Sequence, residues 1–427
     1  MSVLNPIVQE VVDNLANFIE NINCIHETFG YSEIMLREQY DKSQKNYEDF
    51  IKKCRIEENN GQEIAYVPDS KYRQYLKLYK KKKRAEHAFK LIPPSYLVTL
   101  VSEFDSFFAG LVRSVFNICP EKLQESDMTF CYRDLQCLES IKDVKIKIID
   151  KCIENLLRES HTKQFNWLAK ALDVETLTKF DGWKEFVELT ERRNLFVHAN
   201  GIVSNQYKTE CEKCGYLLQD IILGMQLSVD RPYFEKSYRL LYKISIMLSQ
   251  MLLRSLYLPK NVEDSSVIDE QLIINVYELI SEELYDVAIS VSEFALNNKK
   301  FKHNSFDRGY IVLNLAQAYK WSENDDKCQK ILESEDWSAS TNELLMPMYA
   351  LKEDYNEVFK RMRELGNSNK NITISSYLEW PIFKLVREQK DFKIVFEEIF
   401  GEKPIKERQI EIEQNNFSAE NSQTKVS

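Results

Sequence analysis

Three residues of one short stretch have the types and spacing to do chemistry: Arg193, Asn194 and His198, within ERRNLFVHANG (residues 191–201). The apolar positions Phe186, Leu189, Phe196 and Val197 recur at helical spacing, so the segment is expected to be a helix with one side in a core. On such a helix Asn194 and His198 are four residues apart and stack on one face, with Glu191 on the same side. Arg193 lies about 100° round from Asn194, within reach of its long side chain. Arg192 is read as a flanking charge. Gly201 marks the end of the helix. The chain has only five histidines. An imidazole, which titrates near neutrality, beside a permanent cation is the minimum equipment for metal-free RNA cleavage. The histidine would move the proton of a ribose 2′-hydroxyl or of the leaving oxygen. The arginine would neutralise charge on the phosphate. The competing expectation is that Arg193 and His198 satisfy buried carboxylates such as Glu188 or Glu191.

The pattern Arg193-Asn194-x3-His198, following a Glu-rich helix and leading into HANGIVSNQY, resembles the R-x4–6-H motif of the HEPN superfamily (higher eukaryotes and prokaryotes nucleotide-binding). The resemblance covers about residues 95–258. It implies a four-to-five-helix bundle that forms a homodimer, so that two copies of the motif make one composite ribonuclease site without metal or cofactor. Arg193 and His198 would then be the catalytic pair and Asn194 the polar helper. It also implies a toxin or antiviral defence setting. Some HEPN domains only mediate interactions, so the alternative is a non-catalytic dimeric adaptor.

A second candidate is the run KYRQYLKLYKKKKR (residues 71–84), in which cations interleave with tyrosines and no acid intervenes. Aromatic faces can stack on bases while cations neutralise phosphates. Tyr72, Arg73, Lys80, Lys81, Lys82, Lys83 and Arg84 are therefore candidate RNA-binding residues, against the plainer expectation of a solvated helix face. Cys211-Glu-Lys-Cys214 is the one CxxC, and without a second ligand pair it reads as two helix thiols. His26, His87, His161 and His303 are isolated, without metal-ligand spacing. No Gly-rich phosphate loop, GxSxG or HExxH occurs, which sets aside P-loop, α/β-hydrolase and zincin chemistry.

These residues need a scaffold, and composition predicts an all-α one. The chain is 44% hydrophobic, with only 10 Gly and 10 Pro in 427 residues, too few for turn-rich β architecture. Residues 1–93 are expected to be a helical region with a charged hairpin. It would comprise an amphipathic helix (Ile7, Val11, Leu15, Phe18, Ile19, Ile22), a turn at Asn59-Asn60-Gly61, a short extended piece at EIAYVP, a basic helix and a close at Pro93-Pro94. Residues 94–258 form the HEPN-like bundle, with a central apolar helix from Ser95, Ser140 as a helix cap and a last helix over Tyr233–Leu258. A linker (259–267) leads to tetratricopeptide-like helical hairpins (268–402), whose concave surface would take a protein or peptide partner. Residues 403–427 are polar and read as a disordered tail. Net charge is −10, so nucleic-acid binding has to rest on a local basic patch. The nine scattered cysteines fit reduced thiols. The apolar stretch Ile244–Leu258 is too short and too interrupted to span a bilayer. A soluble, cytoplasmic protein is expected, without membrane contact.

Overall fold

The computed structural model describes residues 4–59, 62–125, 140–175, 177–401 and 404, with no account of the side chains of 124 and 125. Asn60-Gly61, Cys137 and nearly all of the 403–427 tail lie outside these residues. The described chain is predominantly helical.

Helix α1 (Pro6–Ile51) starts with a side-chain cap: Asn5 accepts from the Ile7 amide, and Pro6 occupies the first turn. Its buried residues Val8, Leu15, Ile22, Phe29, Leu36, Ser43 and Phe50 are seven apart throughout, joined near the start by Val11 and Phe18. A strict heptad keeps one narrow seam facing a partner helix. That partner is α2 (Asp69–Ile118), and the pairing is antiparallel. Glu10 meets Ser114, Asn14 meets Phe107, and Tyr47 meets Tyr79. A Cβ at Gly110 would run into the Asn14 side chain, which would then have to move from its bond to the Phe107 carbonyl.

Between the helices sits an antiparallel hairpin, β1 (Arg55–Asn59) with β2 (Gln62–Tyr66), in register Ile56 to Ala65. The short extended piece expected at EIAYVP is thus half of a paired ribbon. The break expected at Pro93-Pro94 is absent: α2 runs through both prolines. Proline removes one helix donor and crowds the preceding turn. Here both rings are buried at the point where the two-helix arm enters the bundle. Beyond them Leu97, Leu100, Val101, Phe104, Phe108 and Leu111 are buried, so this stretch is the central apolar helix the sequence predicts. By length and composition α2 could cross a membrane, but 44% of its apolar window is already buried inside the protein.

On α2 pack α3 (Ile141–Leu157), α4 (His161–Ala171), α5 (Trp183–His198) and α7 (Arg231–Leu252), while α6 (Asn205–Lys213) packs on α5. Ser140 caps α3 in a reciprocal box with Asp143, as its position predicts. An aromatic cluster centres on Phe165, which packs on Phe108, Trp183 and Phe186, with Phe104 against Phe186. The last bundle helix is shorter than expected. After Leu252 it loosens into a π turn (Leu253–Tyr257) and then 3-10 turns. The expected linker is folded, since Tyr257 donates to Asp264 and Ser266 to Asp307.

Helices α8 (Ser265–Ser281), α9 (Tyr285–Asn297), α10 (Ser305–Trp321), α11 (Asp325–Glu333), α12 (Asn342–Leu351) and α13 (Tyr355–Leu365) follow. Three of their turns are alike: Glu283, Glu323 and Glu353 each take positive φ (58°, 61°, 59°). In each, the next residue's amide returns to the carbonyl five before it: Leu284 to Leu279, Asn324 to Tyr319, Asp354 to Tyr349. These are Schellman closures with glutamate where glycine is usual. The chain divides into two compact units, Met1–Ala318 and Tyr319–Ser427. In the second, α12 and α13 pair, and Lys320 is fixed by the Leu351 carbonyl and Glu353. The unit ends with α14 (Ile374–Glu379), α15 (Lys384–Arg387) and α16 (Lys390–Phe400).

Candidate functional site

Helix α5 is positioned by its buried side, and that side is partly polar. Glu188 is almost fully buried and accepts from Arg192 Nε, Tyr207 Oη and Tyr233 Oη, each at 2.7 Å. The Arg192 guanidinium also donates to the Ser228 carbonyl and lies 3.9 Å from the Tyr233 ring centroid. Burial, and then the Glu188 charge, push both tyrosine hydroxyls far above their ordinary pKa. They remain donors, and a buried carboxylate with three good donors is satisfied. Arg192, read from sequence as a flanking charge, is therefore a structural centre tying α5 to α6, α7 and the loop before α7.

The end of α5 is equally defined. Ala199 and Gly201 amides both return to the Leu195 carbonyl, and Asn200 and Gly201 take positive φ. A Cβ at Gly201 would lie 2.8 Å from the Phe196 ring, so only glycine fits. The chain then pairs with residues 224–227 through Ile202–Gln226 and the Val203–Met225 and Leu227–Gly201 bonds.

On the other side of α5, Arg193 Nη2 donates to Asp105 Oδ2 at 2.6 Å, and His161 Nε2 donates to Asp105 Oδ1 at 2.9 Å. Asp105 comes from α2 and His161 from the first turn of α4, where its ring stands edge-on to Phe186. The cluster is partly open, with side-chain exposures of 18% for Arg193 and 28% for Asp105. Arg193 Nε is buried without a partner. Glu191 sits nearby with its pKa raised, by burial and then by Glu210, against the opposing pull of His161, Asn194 and Arg193.

Asn194 is half-buried, and His198, the last residue of α5, is exposed. Five residues separate Arg193 from His198, about 140° of helix rotation, so they project from different sides. The structure thus gathers Arg193 with Asp105 and His161, and leaves Asn194 and His198 on a solvent-facing stripe. Two members of this cluster escaped the sequence reading. His161 looked isolated because its partner is 56 positions away. Asp105 gave one usable signal, an acid inside the apolar run SEFDSFFAGL.

The segments beyond the end of α5 carry exposed apolar residues: Val197, Ile202, Ile222, Leu223 and Met225 are each at least 42% exposed, and residues 224–227 pair with 201–203. A groove of about 370 Å³ lies at the end of α5, lined from α2 by Leu91, Pro94 and Val98, from α5 by Phe196 and Val197, and from the turn after it by Asn200.

The basic run of α2 divides into two sets. Lys82 and Lys83 share Glu86 and lie over the rings of Tyr47 and Tyr79. Both charges are paired within the arm, Lys82 largely covered and Lys83 half-exposed. Arg73, Lys80, Lys81 and Arg84 are exposed, and Tyr72 is half-exposed. Tyr75 and Tyr79 stack in the arm, with Tyr47 against both.

Cys211 is buried in α6, its thiol pushed up to about 12 by burial and by Glu188. Cys214 Sγ donates to the Cys211 carbonyl. These are packed thiols rather than a reactive pair. Among the described residues no three His, Cys, Asp or Glu side chains converge as metal ligands would. Compared with known proteins, the chain matches no family model, no curated protein and no solved structure.

Proposed function

We propose that the chain is a metal-independent endoribonuclease that acts as a homodimer through the end of α5. The observation that carries this reading is the exposed His198, with Asn194 one turn behind it, at a closed helix end that is followed by segments rich in exposed apolar residues. Exposed apolar surface of this kind is suited to a second protein surface. A two-fold axis there would bring two His198 imidazoles and two Asn194 amides together. One imidazole would take the ribose 2′-OH proton as O2′ attacks phosphorus. The bond to the 5′-oxygen then breaks, and the other imidazole returns a proton to it, leaving a 2′,3′-cyclic phosphate. For Arg193 to neutralise the phosphate, its guanidinium would have to leave Asp105 and swing round α5 towards the Asn194 face. The helical hairpins beyond residue 268 would take a protein or peptide partner.

A second reading is favoured by the Arg193–Asp105–His161 cluster itself. An arginine already paired with an acid of its own chain suits a non-catalytic, HEPN-like dimeric adaptor in which the triad only fixes α2, α4 and α5. Labelled single-stranded RNA in EDTA, incubated with the parent chain and with His198→Ala, Asn194→Ala and Arg193→Ala, separates the two. The enzyme predicts cyclic-phosphate ends from the parent and on the order of 100-fold slower cleavage for His198→Ala. Folded dimers without cleavage would support the adaptor.

A further inference from the structure

Four of the exposed cations in the arm's basic run fall on a single line. Arg73, Lys77, Lys80 and Arg84 are spaced four, three and four residues apart, the repeat that keeps side chains on one face of a helix. All four are exposed, and among the described residues none of them makes an ion pair. The arm's own packing sets this orientation. Tyr75, Lys82 and Glu86 lie towards α1, Tyr79 and Lys83 flank them half-exposed, and the line of four cations is left on the outside. Successive members stand about one helical turn, roughly 5–6 Å, apart. The repeat continues through His87 to Leu91, Pro94 and Val98, which line the groove beside the end of α5. From Arg73 to Val98 is 25 residues, about 20° short of seven full turns, so the line and the groove share one face of α2 over roughly 37 Å.

We propose that this face is a docking rail for an RNA strand: the four cations hold successive phosphates and lead the strand into the groove next to Val197 and Asn200. It rests on the ribonuclease reading only for the purpose of the groove, since binding along the rail needs no cleavage. Nucleic acid fits better than a membrane. An interfacial helix needs a broad apolar face opposite its cations, and here that side is sealed against α1. Between residues 69 and 90 the large exposed apolar side chains are Tyr72 and Tyr79, rings able to stack on bases. In a chain of net charge −10, the run 71–84 carries eight cations and no acid, so the attraction is local.

The test is binding of a fluorescent single-stranded RNA to the full-length His198→Ala chain across 50–200 mM salt. Four neutralised phosphates predict a log–log slope of about −2.8, which is on the order of 50-fold weaker binding over that range. Lys77→Gln/Lys80→Gln/Arg84→Gln should reduce the slope to about −0.7. Lys82→Gln/Lys83→Gln should leave it nearly unchanged. Equal losses in the two sets, or binding to anionic vesicles but not to RNA, would overturn the rail. Parent protein that binds RNA with this salt signature but never cleaves it would keep the rail and remove the ribonuclease. Cleavage without any effect of the triple variant on affinity would do the reverse.

Discussion

The first compact unit contains two Arg–Asp–His clusters built from the same groups and set in different surroundings. In one, Asp105 accepts from Arg193 and His161. In the other, Asp269 accepts from Arg254 and His303, with Arg254 also donating to Gln250 and lying over the Phe301 ring. The second is sealed, with side-chain exposures of 1% for Arg254 and 0% for Asp269. It sits on the π turn after α7 and clamps that turn to α8. Even so, Arg254 Nη1 and Asp269 Oδ2 find no partner. The Asp105 cluster admits solvent and leaves only Arg193 Nε unmet. In the sealed cluster the charges can only hold one another, so it works as a clamp. In the open one an anion could compete with Asp105 for the guanidinium, so the same chemistry is available for binding.

Substitutions test this contrast most strongly at the sealed site. Asp269→Ala strands the Arg254 charge and should cost about 3–5 kcal/mol in urea unfolding. Replacing both partners, Arg254→Met with Asp269→Leu, should recover most of that loss. Asp105→Ala should cost only about 1 kcal/mol, because water can reach Arg193. Equal losses at the two aspartates would remove the distinction between clamp and site.

Gly201→Ala lies between these in effect. Positive φ and the Phe196 ring together should cost about 1–2 kcal/mol and displace the end of α5. The smallest effect belongs to Glu191. Burial holds its pKa above the ordinary carboxylate range, so its charged form is disfavoured in the folded chain relative to the unfolded one. Stability linked to this group is present at low pH and is lost as pH rises through the raised pKa. Glu191→Gln should therefore raise Tm at pH 7 and make no difference below about pH 4, where the carboxyl is protonated in both states. A lower Tm at pH 7 would show that its contacts with Asn194 and Arg193 outweigh burial.

How much of this was legible in the sequence follows from the reach of each interaction. The stripe of α1, the cap at Ser140 and the end of α5 at Gly201 are local, and periodicity or a single residue type reveals them. The phase of α5 was harder to read. Phe196 and Val197 suggested the core side, yet Val197 is half-exposed, while Glu188 and Arg192 are buried. Sequence patterning counts charged residues as surface, and a fully paired buried network defeats that rule. For the same reason the adjacent arginines exchanged importance: they lie about 100° apart on the helix, and only tertiary partners decide which one is enclosed. The β ribbon depends on pairing across a turn, and the continuity of α2 through Pro93-Pro94 depends on packing around both rings. His161 and Asp105 meet only when α2 and α4 do.

We propose that the Asn194–His198 stripe of α5 is a ribonuclease site rather than one more structural contact. The most direct measurement is the rate of RNA cleavage in EDTA by the parent chain and by His198→Ala, with folding and dimerisation checked in both. A ribonuclease site here gives cyclic-phosphate products from the parent and on the order of 100-fold slower cleavage from the variant, with an unchanged Tm. Equal rates in the two proteins, or a folded parent dimer that cleaves no RNA, would contradict it.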